Sequence, residues 1–198
     1  MADLITVQEY KNAEGIVNAK DDPRLDIIVP QVSDLAKKYC GTSFVDYYSS
    51  DKTETFSVSD NFTSTMIVSE SPLISVTTVK ERGTYAADYE TLSTSDYEYY
   101  VDLAADAIVR TTNQGSKKAF PQGMGSVQIA YRAGYSAAPS DLKLALFDLV
   151  TYYLKDEHKE RRTIAGATLQ NQGTSGVRDN TDFPDHIKRV LDLYRVII

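Results

Sequence analysis

Between residues 48 and 138 the chain loses helical periodicity and becomes rich in Ser, Thr, Tyr and Val, punctuated by Gly and Pro. On both sides of that stretch, apolar residues recur at the three- and four-residue spacing of helices. This order limits the architecture more than any other feature of the sequence. β-Branched and aromatic residues suit a pleated, half-buried surface, so the middle is expected to form an antiparallel β unit. Candidate strands are 54–59, 65–69, 73–81, 97–103, 106–112 and 126–132. Phe56 and Val58, like Val127, Ile129 and Tyr131, alternate with polar neighbours, as strands with one buried face do. Pro72 marks a strand start, and Gly83, Asn113-Gln114-Gly115 and Gly123-Met124-Gly125 mark turns. The chain reads as helix, helix, a long β-rich middle, helix, polar loop and helix, an α+β order. The whole chain, 1–198, is expected to make one unit.

The helical arms carry their own start and stop signals. Thr6-Val7-Gln8-Glu9 has the form of a capping box, which predicts a short helix over about 7–19. Asp22-Pro23 reads as an N-cap followed by proline at the first helical position. Leu25, Ile28, Val32, Leu35, Ala36 and Tyr39 then form one apolar face, and Gly41 stands where a left-handed terminator belongs. Pro30 should kink this helix or break it in two. Ser140 is the expected N-cap of a further helix running to about Lys159, with Leu142, Leu146, Leu149, Val150 and Tyr153 as its stripe. Residues 163–182 are mostly Gly, Thr, Asn, Gln and Ser, which predicts a mobile loop. Pro184 opens the last helix, with Ile187, Val190, Leu191 and Tyr194 on one face.

Charge and residue types exclude several function classes. With 21 basic and 28 acidic side chains the formal charge is −7, opposite to what a phosphate-gripping nucleic-acid binder carries. Cys40 is the single cysteine, so no intrachain disulfide or cysteine cage forms, and a buried structural thiol is expected. No signal-like start and no bilayer-length apolar run is present, so a soluble protein made in a cytoplasm is expected. The two histidines, His158 and His186, sit among charged residues without metal-ligand spacing. There is no Gly-x-Ser-x-Gly elbow, and Gly123-Met124-Gly125 lacks the remaining elements of a phosphate loop. The carboxylate pairs Asp21/Asp22 and Asp102/Asp106 read as solvated residues, although paired carboxylates also serve glycoside hydrolysis. Fourteen tyrosines and no tryptophan are present. Tyr85, Tyr89, Tyr97, Tyr99 and Tyr100 cluster in the β region, as an interface surface or as ordinary sheet packing.

Val127-Gln128-Ile129-Ala130-Tyr131-Arg132-Ala133-Gly134-Tyr135, followed by Pro139-Ser140-Asp141-Leu142-Lys143-Leu144-Ala145, resembles the signature region of tailed-bacteriophage head-tail connector proteins. Pro72-Leu73-Ile74-Ser75-Val76-Thr77-Thr78-Val79 is similar to another strand of that family, as are the helix ending Lys38-Tyr39-Cys40-Gly41 and the closing helix from Pro184 to Arg195. Phe120 stands where the family carries an aromatic residue. The resemblance runs in order through nearly the whole chain. It implies an α+β fold, mainly an α-helical bundle formed by residues 1–47 and 139–198 with an inserted antiparallel β unit at 48–138, and a structural virion protein: a subunit of a ring that docks beneath the portal protein, extends the DNA channel and provides the platform for the stopper or tail-completion protein. The ring would be dodecameric, made of further copies of the chain, with genomic DNA passing through non-specifically. It implies no catalysis, no cofactor, no metal and no membrane, and a place in the virion neck after assembly in the host cytoplasm. A negative chain is consistent with a channel through which DNA must slide. Other readings remain: a tail-associated carbohydrate- or receptor-binding module, suggested by the tyrosines, and a hydrolase with paired carboxylates.

Two segments are candidate assembly sites. Tyr194, Arg195, Val196, Ile197 and Ile198 put three β-branched apolar residues beyond the last helix, suited to pairing as an added strand on the portal, or to completing the subunit's own core. The segment containing Thr163, Gly166, Gly173, Gly176 and Arg178 is expected to be mobile in the free subunit and ordered in the ring.

Overall fold

Thr6 opens the first helix with both halves of the capping box: its hydroxyl accepts from the Glu9 amide at 3.1 Å, and its amide donates to the Glu9 carboxylate at 2.8 Å. The computed structural model describes residues 2–155 and 183–195. Among them are helices α1 (Val7–Glu14), α2 (Asp22–Cys40), α3 (Ser140–Leu154) and α4 (Asp185–Leu193). The strands are β1 (Lys52–Val58), β2 (Thr65–Ile67), β3 (Leu73–Glu81), β4 (Glu90–Thr91), β5 (Tyr99–Asp102), β6 (Ala107–Arg110) and β7 (Gly123–Ala133). The described residues divide into a β unit, Thr42–Ala137, and a helical unit built from Ala2–Gly41, 138–155 and 183–195.

In the helical unit α2 packs on α1, α3 and α4, and α3 on α4. The buried stripe of α2 is Leu25, Val29, Val32, Ala36 and Cys40, meeting Leu142, Ala145, Leu146, Leu149 and Val150 of α3 and Ile187 and Leu191 of α4. This stripe is rotated slightly from the expected face, because Val29 and Cys40 point inward where Ile28, Leu35 and Tyr39 remain half-exposed. Each fully buried leucine here contributes about 1.5–3 kcal/mol. Helix α2 runs unbroken through Pro30, so of the two expected outcomes, a kink or a break, the break does not occur; packing on both sides holds the turn despite the missing N–H. Asp22 is the first helical residue and not the cap: its carboxylate is taken by Lys11 at 2.8 Å, and Asp21 precedes the helix. Pro139 likewise takes the cap position expected of Ser140, and α3 ends at Leu154, short of Lys159.

The β unit holds two antiparallel sheets, ordered β1-β7-β3-β4 and β2-β6-β5. In the first, Phe56 faces Val127, and Ile129 lies between Glu54 and Val79. Both sheets feed one core of Val58, Met66, Val68, Leu73, Val79, Leu92, Tyr99, Ile108, Phe120, Val127, Ile129, Tyr131 and Ala133. The expectation of a mainly helical bundle is therefore wrong. About 31% of the described residues are helical and 25% lie in strands, and the β region builds a second core of its own, so it is no appendage. Gly123-Met124-Gly125 is also not a turn. It starts β7 as an irregularity in the pairing with β1, where the register jumps between Phe56 and Val58. Strand β4, two polar residues long, had no periodic signal to announce it.

Candidate functional site

The signature residues meet where the chain enters and leaves the β unit. Tyr135 N donates to Phe44 O at 2.6 Å, Ala133 N to Tyr47 O at 3.1 Å, and Gly134 N to Pro72 O at 2.8 Å. Gly134 has φ +99°, and a Cβ there would lie 2.2 Å from the Phe44 carbonyl oxygen. The Ala-Gly-Tyr of the motif is thus the place where two backbones touch. Phe44 itself is buried with φ +63°, a conformation bulky residues rarely adopt without tertiary support.

Beside this junction lies a buried ionic cluster. Glu70 accepts from Thr42 Oγ1 at 2.9 Å, Ser43 N at 2.9 Å and Ser43 Oγ at 3.0 Å, and pairs with Lys52 at 3.1 Å. Lys52 also reaches Glu54 at 2.7 Å and Ser69 Oγ at 2.6 Å, and Ser69 bonds Glu54 through both its amide and its hydroxyl. Burial opposes the charge on Lys52, but its bonds to Glu54 and Glu70 hold it protonated beyond the ordinary lysine range. Burial likewise works against Glu54, and the bonds from Lys52 and Ser69 outweigh it, keeping the carboxyl below its usual range. A second cluster joins the two sheets: Arg110 of β6 grips Glu81 of β3 with paired bonds of 3.0 and 2.9 Å and donates to the Glu98 carbonyl at 2.6 Å. Isolated acidic and basic residues in alternating strands gave no sequence signal for either cluster.

In the helical unit the Pro-x-Asp-Leu-Lys motif ties the helices together. Leu142 and Ala145 are buried, Lys143 pairs with Glu9 of the capping box at 2.6 Å, and Asp141 accepts from the Tyr194 hydroxyl at 2.7 and 2.8 Å. The Tyr194 hydroxyl holds the Asp141 carboxyl below its usual range, as Lys143 does that of Glu9. Arg195 stacks on the Tyr39 ring at 5.6 Å, and Tyr39 donates to Asp192 at 2.5 Å. Of the proposed portal-binding residues, Tyr194 and Arg195 thus make contacts within their own helical unit, while Val196, Ile197 and Ile198 lie outside the described residues. Thr163, Gly166, Gly173, Gly176 and Arg178 also lie outside them, as does His158.

The candidates for chemistry are dispersed. Asp22 belongs to Lys11, Asp102 accepts from the amides of Ala104 and Ala105, and Asp106 accepts from the Leu73 amide at 2.6 Å. His186 is exposed, 3.8 Å from Asp148. Among the described residues no group of three metal-ligating side chains converges. Cys40 is buried, its thiol donating to the Leu191 carbonyl at 3.5 Å, and burial pushes it up to about 12. The tyrosine cluster divides: Tyr99 joins the core, whereas Tyr85, Tyr97 and Tyr100 are exposed.

Comparison with known proteins gives one family and one fold. The sequence model of the family described as "Head completion protein" matches residues 3–197. The head completion protein of Escherichia phage T5 is 34% identical over 76 residues, which is 38% of this chain and 41% of that protein, so the match spans less than half of the relative's length. Among solved structures, a chain from the neck of an empty GTA (gene transfer agent) particle superposes with a TM-score of 0.59 at 16% identity, covering 98% of this chain and 91% of that one. A chain from the neck of a native GTA particle with twelvefold symmetry gives 0.58 at 15% identity, covering 98% and 90%. At such identities the likeness is one of fold.

Proposed function

We propose that this chain, which belongs to the head completion protein family, is a structural protein of the virion neck and works there as one subunit of a ring beneath the portal protein. The ring extends the DNA channel and carries the stopper or tail-completion protein. The observation that supports this reading most is the family match along residues 3–197, joined by a fold shared over 98% of the chain with proteins from particle necks. The matched family offers nothing to the reading as a receptor-binding module of the tail. We assign the chain no catalysis: the buried Glu70 and the half-buried Glu54 and Glu81 are each engaged by a lysine or arginine that closes part of the β unit. A formal charge of −7, repeated around a ring, keeps a channel from holding DNA phosphates.

Attachment to the portal is assigned to Val196, Ile197 and Ile198, following Tyr194 and Arg195, and the segment with Thr163, Gly166, Gly173, Gly176 and Arg178 is assigned to assembly. Many weak contacts around a ring add to firm attachment. Deleting Val196–Ile198 should leave the melting temperature of the free subunit unchanged while filled heads fail to bind it. A truncated subunit that melts several degrees lower yet still binds heads would return those residues to the subunit's own core. The neck reading itself is tested by counting copies per virion: a number matching the portal subunits supports it, and absence from virions overturns it.

A further inference from the structure

The β unit carries an unusually well-held exposed tip. The Arg82 guanidinium lies between the rings of Tyr85, at 4.7 Å, and Tyr89, at 4.8 Å. It donates to Gly125 O at 3.0 Å and to Tyr85 O and Met124 O at 3.1 Å each, and Tyr89 adds its own bond to Gly125 O at 2.6 Å. Gly125, with φ +57°, sits in a tight place: a Cβ there would lie 3.0 Å from Arg82 Nη2 and 3.2 Å from Thr55 Cγ2, and both would have to give way. All this order supports two large side chains that face solvent, Tyr85 at 77% and Met124 at 71% exposure. Flanking them, Asp88 and Glu90 are exposed and have no ion pair among the described residues. The tip lies at the end of β7 away from Ala133, about 33 Å along an 11-residue strand. A pre-ordered aromatic knob with an acidic flank is the form of an interface anchor, since little freedom remains to be lost on binding.

The helical unit carries its counterpart. A cavity of about 510 Å³ is lined by Arg24, Ile27, Ile28, Gln31, Val32, Leu35 and Tyr153, and Ile27 is 60% exposed. Lys38 continues the Ile28–Gln31–Leu35 row of α2 one turn on, exposed and without an ion pair among the described residues. Asp34 lies one row round the helix and does not line the cavity.

We propose that copies of this chain join through these two different surfaces: the Tyr85–Met124 knob of one copy seats in the Ile27–Ile28–Leu35–Tyr153 groove of the next, with Asp88 and Glu90 towards Lys38. This rests on the neck-ring reading and names its subunit contact. Two knobs brought together would oppose like charges, so the pairing is knob to groove. Such a heterologous contact builds rings, whereas an isologous one stops at a dimer. The test mixes full-length Tyr85→Cys chains with full-length Ile28→Cys chains, assembles them on portal-bearing heads and oxidises them; Cys40 is buried and does not compete. Disulfides between the two variants are expected, with none in either variant alone. Separately, Tyr85→Ala should reduce assembly about tenfold or more. The Asp88→Lys, Glu90→Lys double variant should also assemble poorly and be rescued by Lys38→Glu. Cross-links among Tyr85→Cys chains alone, or normal rings from Tyr85→Ala and from Ile28→Asp, overturn the contact while leaving the ring reading in place. If wild-type chains form no ring on heads, both fall.

Discussion

Gly134 carries the tightest constraint at the scale of single residues. Its left-handed φ and the 2.2 Å approach to the Phe44 oxygen leave no room for any Cβ, so Gly134→Ala must displace one of the two crossing segments. We expect a loss of about 2–4 kcal/mol in urea unfolding, within the range of strained special-φ positions. A loss below about 1 kcal/mol would mean the junction is pliable. Cys40 and Tyr131 tie stability to alkaline pH. Burial pushes the Cys40 thiol up from 9.0 to about 12, and burial pushes the Tyr131 hydroxyl up from 10.0 to about 12. In both, the fold favours the protonated form. That stability is therefore whole below the ordinary values and is lost as pH rises towards about 12. Chemical denaturation at pH 8, 10 and 11.5 should show a falling free energy across the last interval. Cys40 should resist alkylation at pH 8 until the helical unit opens.

Among the elements, α3 has the clearest role. Leu142, Leu146 and Leu149 are all fully buried, and Leu146→Ala is expected to cost about 2–5 kcal/mol, read from the shift of the urea midpoint at unchanged slope. A cost under about 1 kcal/mol would place Leu146 on a site that collapses readily. The α3 stripe was legible because leucines at positions 142, 146 and 149 follow helical spacing with Ala145 and Val150 beside them, and Leu144 alone would not make a second face. In α2 the face was read slightly off, because Ile28, Val29, Val32 and Leu35 are all apolar and periodicity alone does not choose among neighbouring rows. The core took Val29, and Ile28 and Leu35 were left to line the groove.

For the whole molecule, knob and groove are surfaces of modest size, and among the described residues there is no extended apolar face of the kind an obligate oligomer carries. The free subunit is therefore expected to sediment as a monomer at micromolar concentration, with the ring forming on the portal; a stable dodecamer without portal would contradict this. The balance of helix and sheet was misjudged at this scale. The family resemblance implies a bundle with an insertion, but residues 48–138 supply thirteen buried core residues of their own. Met66 in β2, and Leu92 and Phe120 in the connections, declare themselves as core only once two sheets face each other.

By itself the sequence determined where helical and strand segments fall, since local spacing, caps and turn residues act over a few positions: the Thr6–Glu9 box, the α3 stripe and the strand at 73–81 all form in place. It also determined the family, through motifs whose order survives. Only the tertiary structure decided why those motifs matter. The closeness of Gly134 to Phe44, the bonds of Glu70 to Thr42 and Ser43, and the bonds of Arg82 to the Met124 and Gly125 carbonyls join residues from different segments. Such pairings follow from sheet register and chain crossing, which depend on how the core packs as a whole and leave no periodic mark on any one segment.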